Sequence, residues 1–120
     1  MRDHTSLHAW QEARATSLAV IRLCQSQWKP YAAALFSQLQ RSSLSIQLNI
    51  AEGYTFGESR TFTRHLGIAY GSAVETGELL RLSIDARVVT AEIGEPLLQH
   101  NRHTERLLLG MLKNRRRFQR

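Results

Sequence analysis

One hundred and twenty residues suffice for one compact domain, which buries roughly two-thirds of the surface its unfolded chain exposes, and leave no room for a second core. Two prolines, seven glycines and 42% apolar residues favour helices and leave little material for hairpins, so an all-α fold is expected. The net charge is +6, but Lys113, Arg115, Arg116, Arg117 and Arg120 supply five of the 16 basic residues; residues 1–112 keep 11 against all 10 acidic ones, which excludes a uniformly basic surface.

The opening MRDHTSLHAW has neither the basic start nor the continuous apolar segment of a secretory signal. No apolar run reaches the roughly 18 residues of a membrane span, so a cytoplasmic protein with no membrane partner is expected. Thr5 or Ser6 offers an N-cap, and Leu7, Trp10, Ala13, Ser17, Val20, Ile21, Cys24 and Trp28 follow at helical intervals, predicting a first helix that ends by Lys29 ahead of Pro30. Cys24 lies on that stripe and reads as a small core side chain, since a lone cysteine forms no internal disulfide.

The second helix carries Leu35, Leu39, Ser42, Ile46 and Asn49 inward, widened by Phe36 and Ile50, with Gly53 as its C-terminal cap because glycine enters the left-handed region without a Cβ clash. Ser59 offers the N-cap of a third helix, whose buried side is Phe62, Leu66, Ala69, Ala73 and Leu80 and whose end falls near Asp85. Gly67 and Gly71 share a face of it; each glycine costs a helix about 1 kcal/mol against alanine, so close packing of a neighbouring helix or subunit is expected there. Thr90 can cap a fourth segment carrying Ile93, Leu97, His100, Thr104, Leu107 and Met111. Pro96 removes a helical hydrogen bond, so either residues 91–94 form a separate turn or the helix kinks. Four amphipathic segments with short links predict an antiparallel up-down-up-down four-helix bundle over residues 1–112 and a basic C-terminal tail over 113–120.

Asn49 and Glu52 stand in the last turn of the second helix, where the helix dipole disfavours a carboxylate. A corner centred near residue 56 puts Glu52 opposite Arg60 or Arg64, and brings Gln38 or Arg41 near Glu75. Gln38, Arg41, Asn49, Glu52, Arg60 and Glu75 therefore read as a structural polar clamp, with contact to a partner as the other use of the same groups. Catalysis lacks support: the Glu-x-x-His pairs of a di-metal bundle, G-x-S-x-G, a phosphate-binding loop and a Cys-His grouping are all missing. The pairs His4/His8 and His100/His103 have metal-compatible spacing, yet no Cys or acid completes a set by spacing, so neither metal nor other cofactor is expected. A site assembled between subunits would leave no motif, and a non-enzymatic protein is expected.

Three blocks resemble a known family. QLQRSSLSIQLNIAEG (38–53) looks like the second-helix signature of the small proteins encoded within intervening sequences of bacterial 23S ribosomal RNA genes; FTRHLGIAYGSAVE (62–75) resembles their third helix, and LHAWQEA (7–13) their opening Leu-x-x-Trp-x-x-Ala. The resemblance implies a four-helix bundle assembling into a ring-like homopentamer without established enzymatic activity. It also implies kinship with the accessory variability protein of diversity-generating retroelements, a basic pentamer that binds nucleic acid and its reverse transcriptase. Gln38, Arg41, Ser45, Asn49, Glu52, Gly53, Ser72 and Glu75 occupy the signature positions. The chain departs from the pattern at Gln40 and Phe56, where a basic residue is common, and at Thr76 and Gly77, which replace a Leu and an acid.

Two functions are compatible with these features. In the first, KNRRRFQR grips phosphates through Lys113, Arg115, Arg116, Arg117 and Arg120, reading the RNA or DNA backbone without sequence preference, with avidity supplied by self-association. In the second, the bundle is a scaffold that docks a protein such as a reverse transcriptase. The bland alternative for the tail is a solvated helix end whose arginines favour the dipole.

Overall fold

The computed structural model describes residues 3–118, with side chains through Arg115. Four helices, α1 (His8–Gln27), α2 (Ala33–Tyr54), α3 (Arg60–Asp85) and α4 (Ala91–Phe118), are joined by short links, and the described residues contain no strand. The α-carbon envelope measures 45 × 25 × 21 Å. At about 1.5 Å per residue, α3 and α4 each run nearly its full length.

The polarity of each pair follows from which residues meet. Cys24 and Ser17 on α1 bond the carbonyls of Phe36 and Ser43 on α2. Ser42 and Ser45 of α2 meet Thr76 and Ser72 of α3, Ile84 and Gly77 of α3 lie against Gly94 and Asn101 of α4, and Glu12 of α1 meets His100 of α4. His8 of α1 also meets His103 of α4, so in every pair one number rises as the other falls and neighbouring helices are antiparallel.

The ends differ in part from their expected form. Ser59 Oγ accepts the Phe62 amide and Thr90 Oγ1 accepts the Ile93 amide, so α3 and α4 start at the caps the sequence offers. At the N-terminus Asp3 caps a single turn over His4–Ser6, where Thr5 and Ser6 spend their hydroxyls on Asp3; α1 then begins after Leu7 with no side-chain cap. Gly53 does not cap α2. The helix continues to Tyr54 and Thr55 closes it in a right-handed conformation, while the only glycine with positive φ is Gly57, in the corner. α4 is one helix from Ala91, with Pro96 inside it rather than after a separate turn. Proline takes one amide from the ladder near the N-terminus, and its exposed position lets water serve the carbonyl left over. α3 ends in a Schellman motif: Val88 N–H bonds Ser83 O, Arg87 N–H bonds Ile84 O, and Arg87 supplies the left-handed residue at φ 60°.

The core is two apolar halves around a polar waist. One half gathers Val20, Leu23, Phe36, Leu39, Leu80 and Leu97; the other gathers Ala13, Ile46, Ile50, Phe62, Leu66 and Leu108. Between them lie Thr16, Ser17, Ser42, Ser43, Thr76, Asn101 and Thr104, all buried. Buried polar groups are costly unless hydrogen-bonded: Thr76 Oγ1 donates to Ser42 Oγ at 2.8 Å, Ser17 Oγ to Ser43 O at 3.1 Å and Asn101 Nδ2 to Ala73 O at 2.8 Å, while Asn101 Oδ1 is buried without a partner among the described residues. Cys24 is buried and donates to Phe36 O, and burial pushes its thiol above the ordinary value, so it behaves as a core group.

Candidate functional site

The signature helix delivers a polar seam along the α2–α3 contact. Gln38 Nε2 donates to Glu75 Oε2 at 2.7 Å, Ser45 and Ser72 hydroxyls meet at 2.8 Å, and Asn49 reaches His65. Asn49 Nδ2 donates to Ser45 O (2.9 Å) and Ser45 Oγ (3.1 Å), which turns Oδ1 toward His65 Nδ1 at 3.0 Å. A carbonyl oxygen only accepts, so His65 Nδ1 carries the proton at this contact. His65 is buried, its ring stacks on Phe56 at 5.9 Å, and its Cβ fills the space that a Cβ on Gly53 would occupy, 2.5 Å away. Gly53 is thus required for close approach of α3 to α2.

The expected clamp is built in part. Gln38 and Glu75 meet, and Asn49 is bonded, but to a side chain of the next helix rather than to backbone at the corner. Glu52, Arg60 and Arg41 are exposed and make no ion pair or side-chain hydrogen bond among the described residues; the Glu52–Arg60 and Glu52–Arg64 pairs do not form. His65 was missed although it lies on the same stripe as Phe62, Leu66 and Ala69, which was the available signal. The departures from the family pattern also become intelligible. Phe56 stacks on His65, Thr76 bonds Ser42, and Gly77 leaves room for Asn101 Nδ2 and Glu105 Oε2, each 3.2 Å from where its Cβ would stand.

The basic residues converge at the end of the bundle where α2 turns into α3 and α4 finishes. Arg115 reaches back from α4 to α3: its guanidinium lies 4.4 Å above the Phe62 ring and Nη2 donates to Glu58 Oε1 at 2.8 Å, leaving the side chain 14% exposed. It belongs to the bundle body rather than to a free tail. The helix also runs on without a break through residues 113–118, so this stretch extends α4. Lys113, Arg60 and Arg64 are exposed at the same end and unpaired among the described residues. The side chains of Arg116 and Arg117, and all of Arg120, lie outside the described residues.

The opposite, α1–α4 side is more open. A groove of about 600 Å³ runs between these helices, walled by Leu18, Arg22, Ile93, Pro96 and Leu97 and ending at His100. Beyond His100 the histidines that found no acid by spacing find one in space: His8, Glu12 and His103 bring one donor atom each to within 4.8 Å of the others. The acid comes from a different helix from His100 and His103, which spacing along the chain could not reveal.

A family model described as 23S rRNA-intervening sequence protein matches residues 5–110. The chain is also similar to a solved structure, a protein of unknown function from the S23 ribosomal protein family of Bacteroides thetaiotaomicron VPI-5482, with a TM-score of 0.78 and 24% identity over 88% of this chain and 98% of that one. At that identity the likeness speaks for the fold alone. Curated proteins gave no match. No described helix is long and apolar enough to cross a membrane. With the signature seam and the matched span in agreement, the chain belongs to the 23S rRNA-intervening sequence protein family.

Proposed function

We propose that this protein acts as a non-catalytic, self-associated bundle that holds the phosphate backbone of RNA or DNA at its basic end. The observation that carries the reading is the convergence of Arg60, Arg64 and Lys113, exposed and unpaired among the described residues, on the helix end that continues into Arg116 and Arg117. Against them stand Glu52, Glu58, which is paired with Arg115, and Asp3 of the N-terminal turn that packs against α2. Phosphate contacts need unpaired cations and carry no sequence information of their own.

Self-association is supported by the outer face of the α2–α3 pair. Leu44, Leu48, Ile68 and Val74 are exposed there, and a Cβ on Gly67 or Gly71 would meet nothing within 4 Å. Among the described residues no helix packs on these glycines, so in this reading the close neighbour that compensates for them is another subunit. A second copy covering this face, in a ring of five by the family resemblance, gathers several basic ends and raises avidity through effective concentration.

Binding of single-stranded RNA and of DNA across a salt series tests the reading. Log affinity falls with log salt at about −0.9 per neutralised phosphate on duplex DNA and about −0.7 on single strands, so four engaged cations per protomer give slopes near −3.6 and −2.8. Arg60→Ala with Arg64→Ala is expected to make the slope shallower by about 2 while leaving the fold intact. The apolar α1–α4 groove favours a second reading, a scaffold that docks a protein such as a reverse transcriptase. Partner binding that is insensitive to salt and survives the arginine changes supports that reading and sinks the first.

A further inference from the structure

Helix geometry places His8 and Glu12 on successive turns of α1, and His100 and His103 on successive turns of α4, with the two pairs facing each other across an antiparallel contact. We propose that His8, Glu12 and His103 form a binding site for a divalent transition metal of the zinc class, with His100 as the outer partner that orients Glu12. His8 Nε2 stands 3.9 Å from Glu12 Oε1, and the His8 and His103 rings meet edge to face at 5.8 Å. Zinc sits about 2.0–2.2 Å from such donors, which places tetrahedral donors roughly 3.3 Å apart. The three donors therefore close on an ion by side-chain rotation of at most about 1.5 Å, and His8, with a 60% exposed side chain, is free to make it.

The donor set selects the ion. Two imidazoles and one carboxylate suit Zn²⁺ and its transition-metal neighbours, whereas Mg²⁺ and Ca²⁺ want oxygen ligands alone. Three protein donors leave a fourth, solvent-facing position beside His8 for water. His100 Nε2 lies 3.1 Å from Glu12 Oε2 and 3.0 Å from Glu12 O, the kind of outer contact that fixes a ligating carboxylate. The site joins α1 to α4 at the end of the groove that separates them, so an ion bound there staples the open side of the bundle. Folded chain binds it and unfolded chain does not, which couples metal to stability.

The test uses the full chain stripped with a chelator, titrated with Zn²⁺ alone and with Mg²⁺ as control, followed by calorimetry and thermal unfolding. One Zn²⁺ per chain and a raised Tm are expected, with no shift from Mg²⁺. His8→Ala and His103→Ala should each weaken zinc binding by at least about 100-fold while leaving the metal-free Tm near that of the parent, and His100→Ala should weaken it by about 10- to 100-fold. Co²⁺ should give the intense visible bands of a four- or five-coordinate centre. No zinc-dependent shift, undiminished affinity in both His8→Ala and His103→Ala, or a weak octahedral Co²⁺ spectrum would overturn the site.

Discussion

Asn49 and Glu52 share a helix turn and a signature, yet their energetics separate. Asn49 has both ends of its amide occupied, and truncation leaves the buried His65 Nδ1–H without its acceptor. Asn49→Ala should therefore cost about 1–3 kcal/mol in denaturant unfolding. Glu52 is exposed and unpaired among the described residues at a helix C-terminus, so Glu52→Ala should change stability by less than about 0.5 kcal/mol or raise it slightly. Equal losses for the two variants would restore the joint clamp. Sequence spacing located the Gln38–Glu75 contact because both sit where antiparallel helices face each other. It could not show that Arg115 is held, since that depends on Phe62 and Glu58 standing beneath it.

Between elements, the glycines divide by what their missing Cβ would strike. Gly53→Ala gains roughly 1 kcal/mol of helix propensity but drives a Cβ to 2.5 Å from His65 Cβ. Overpacking typically costs about 1–3 kcal/mol, so a net loss seen as a lowered Tm is expected. An unchanged Tm would return Gly53 to a role at the helix end. The same α3–α4 waist that admits Asn101 over Gly77 half-buries Glu105. Burial raises the Glu105 carboxyl above its ordinary value, outweighing the opposing pull of Arg102, Arg81 and Arg106, while Glu78 adds to the rise. The folded chain then holds that proton more tightly than the unfolded one, so this group's contribution to stability falls as pH rises from the ordinary carboxylate range, near 4.3, to the raised folded value. Glu105→Gln should be more stable than the parent at neutral pH, with the gap closing as pH is lowered through that window in parallel urea titrations. The four helices were legible because a 3.6-residue stripe of apolar groups survives in each. The polar waist was not, because Ser42 and Thr104 occupy stripe positions and the packed bundle decides whether a hydroxyl there is satisfied.

At the scale of the whole molecule, the described residues leave two surfaces open: an apolar α2–α3 face around Gly67 and Gly71, and a basic end that carries Arg60, Arg64 and Lys113. The proposed self-association would cover the first and multiply the second. In the sequence Gly67 and Gly71 left a neighbouring helix and a neighbouring subunit equally open, and among the described residues no atom comes within 4 Å of where their Cβ atoms would stand. The mass of the full chain in solution, by sedimentation at micromolar concentration, tests the proposed self-association most directly. A multiple of the 13.7 kDa chain is predicted, about 68 kDa (five times 13.7 kDa) for the ring of five, whereas a species that stays at 13.7 kDa contradicts it.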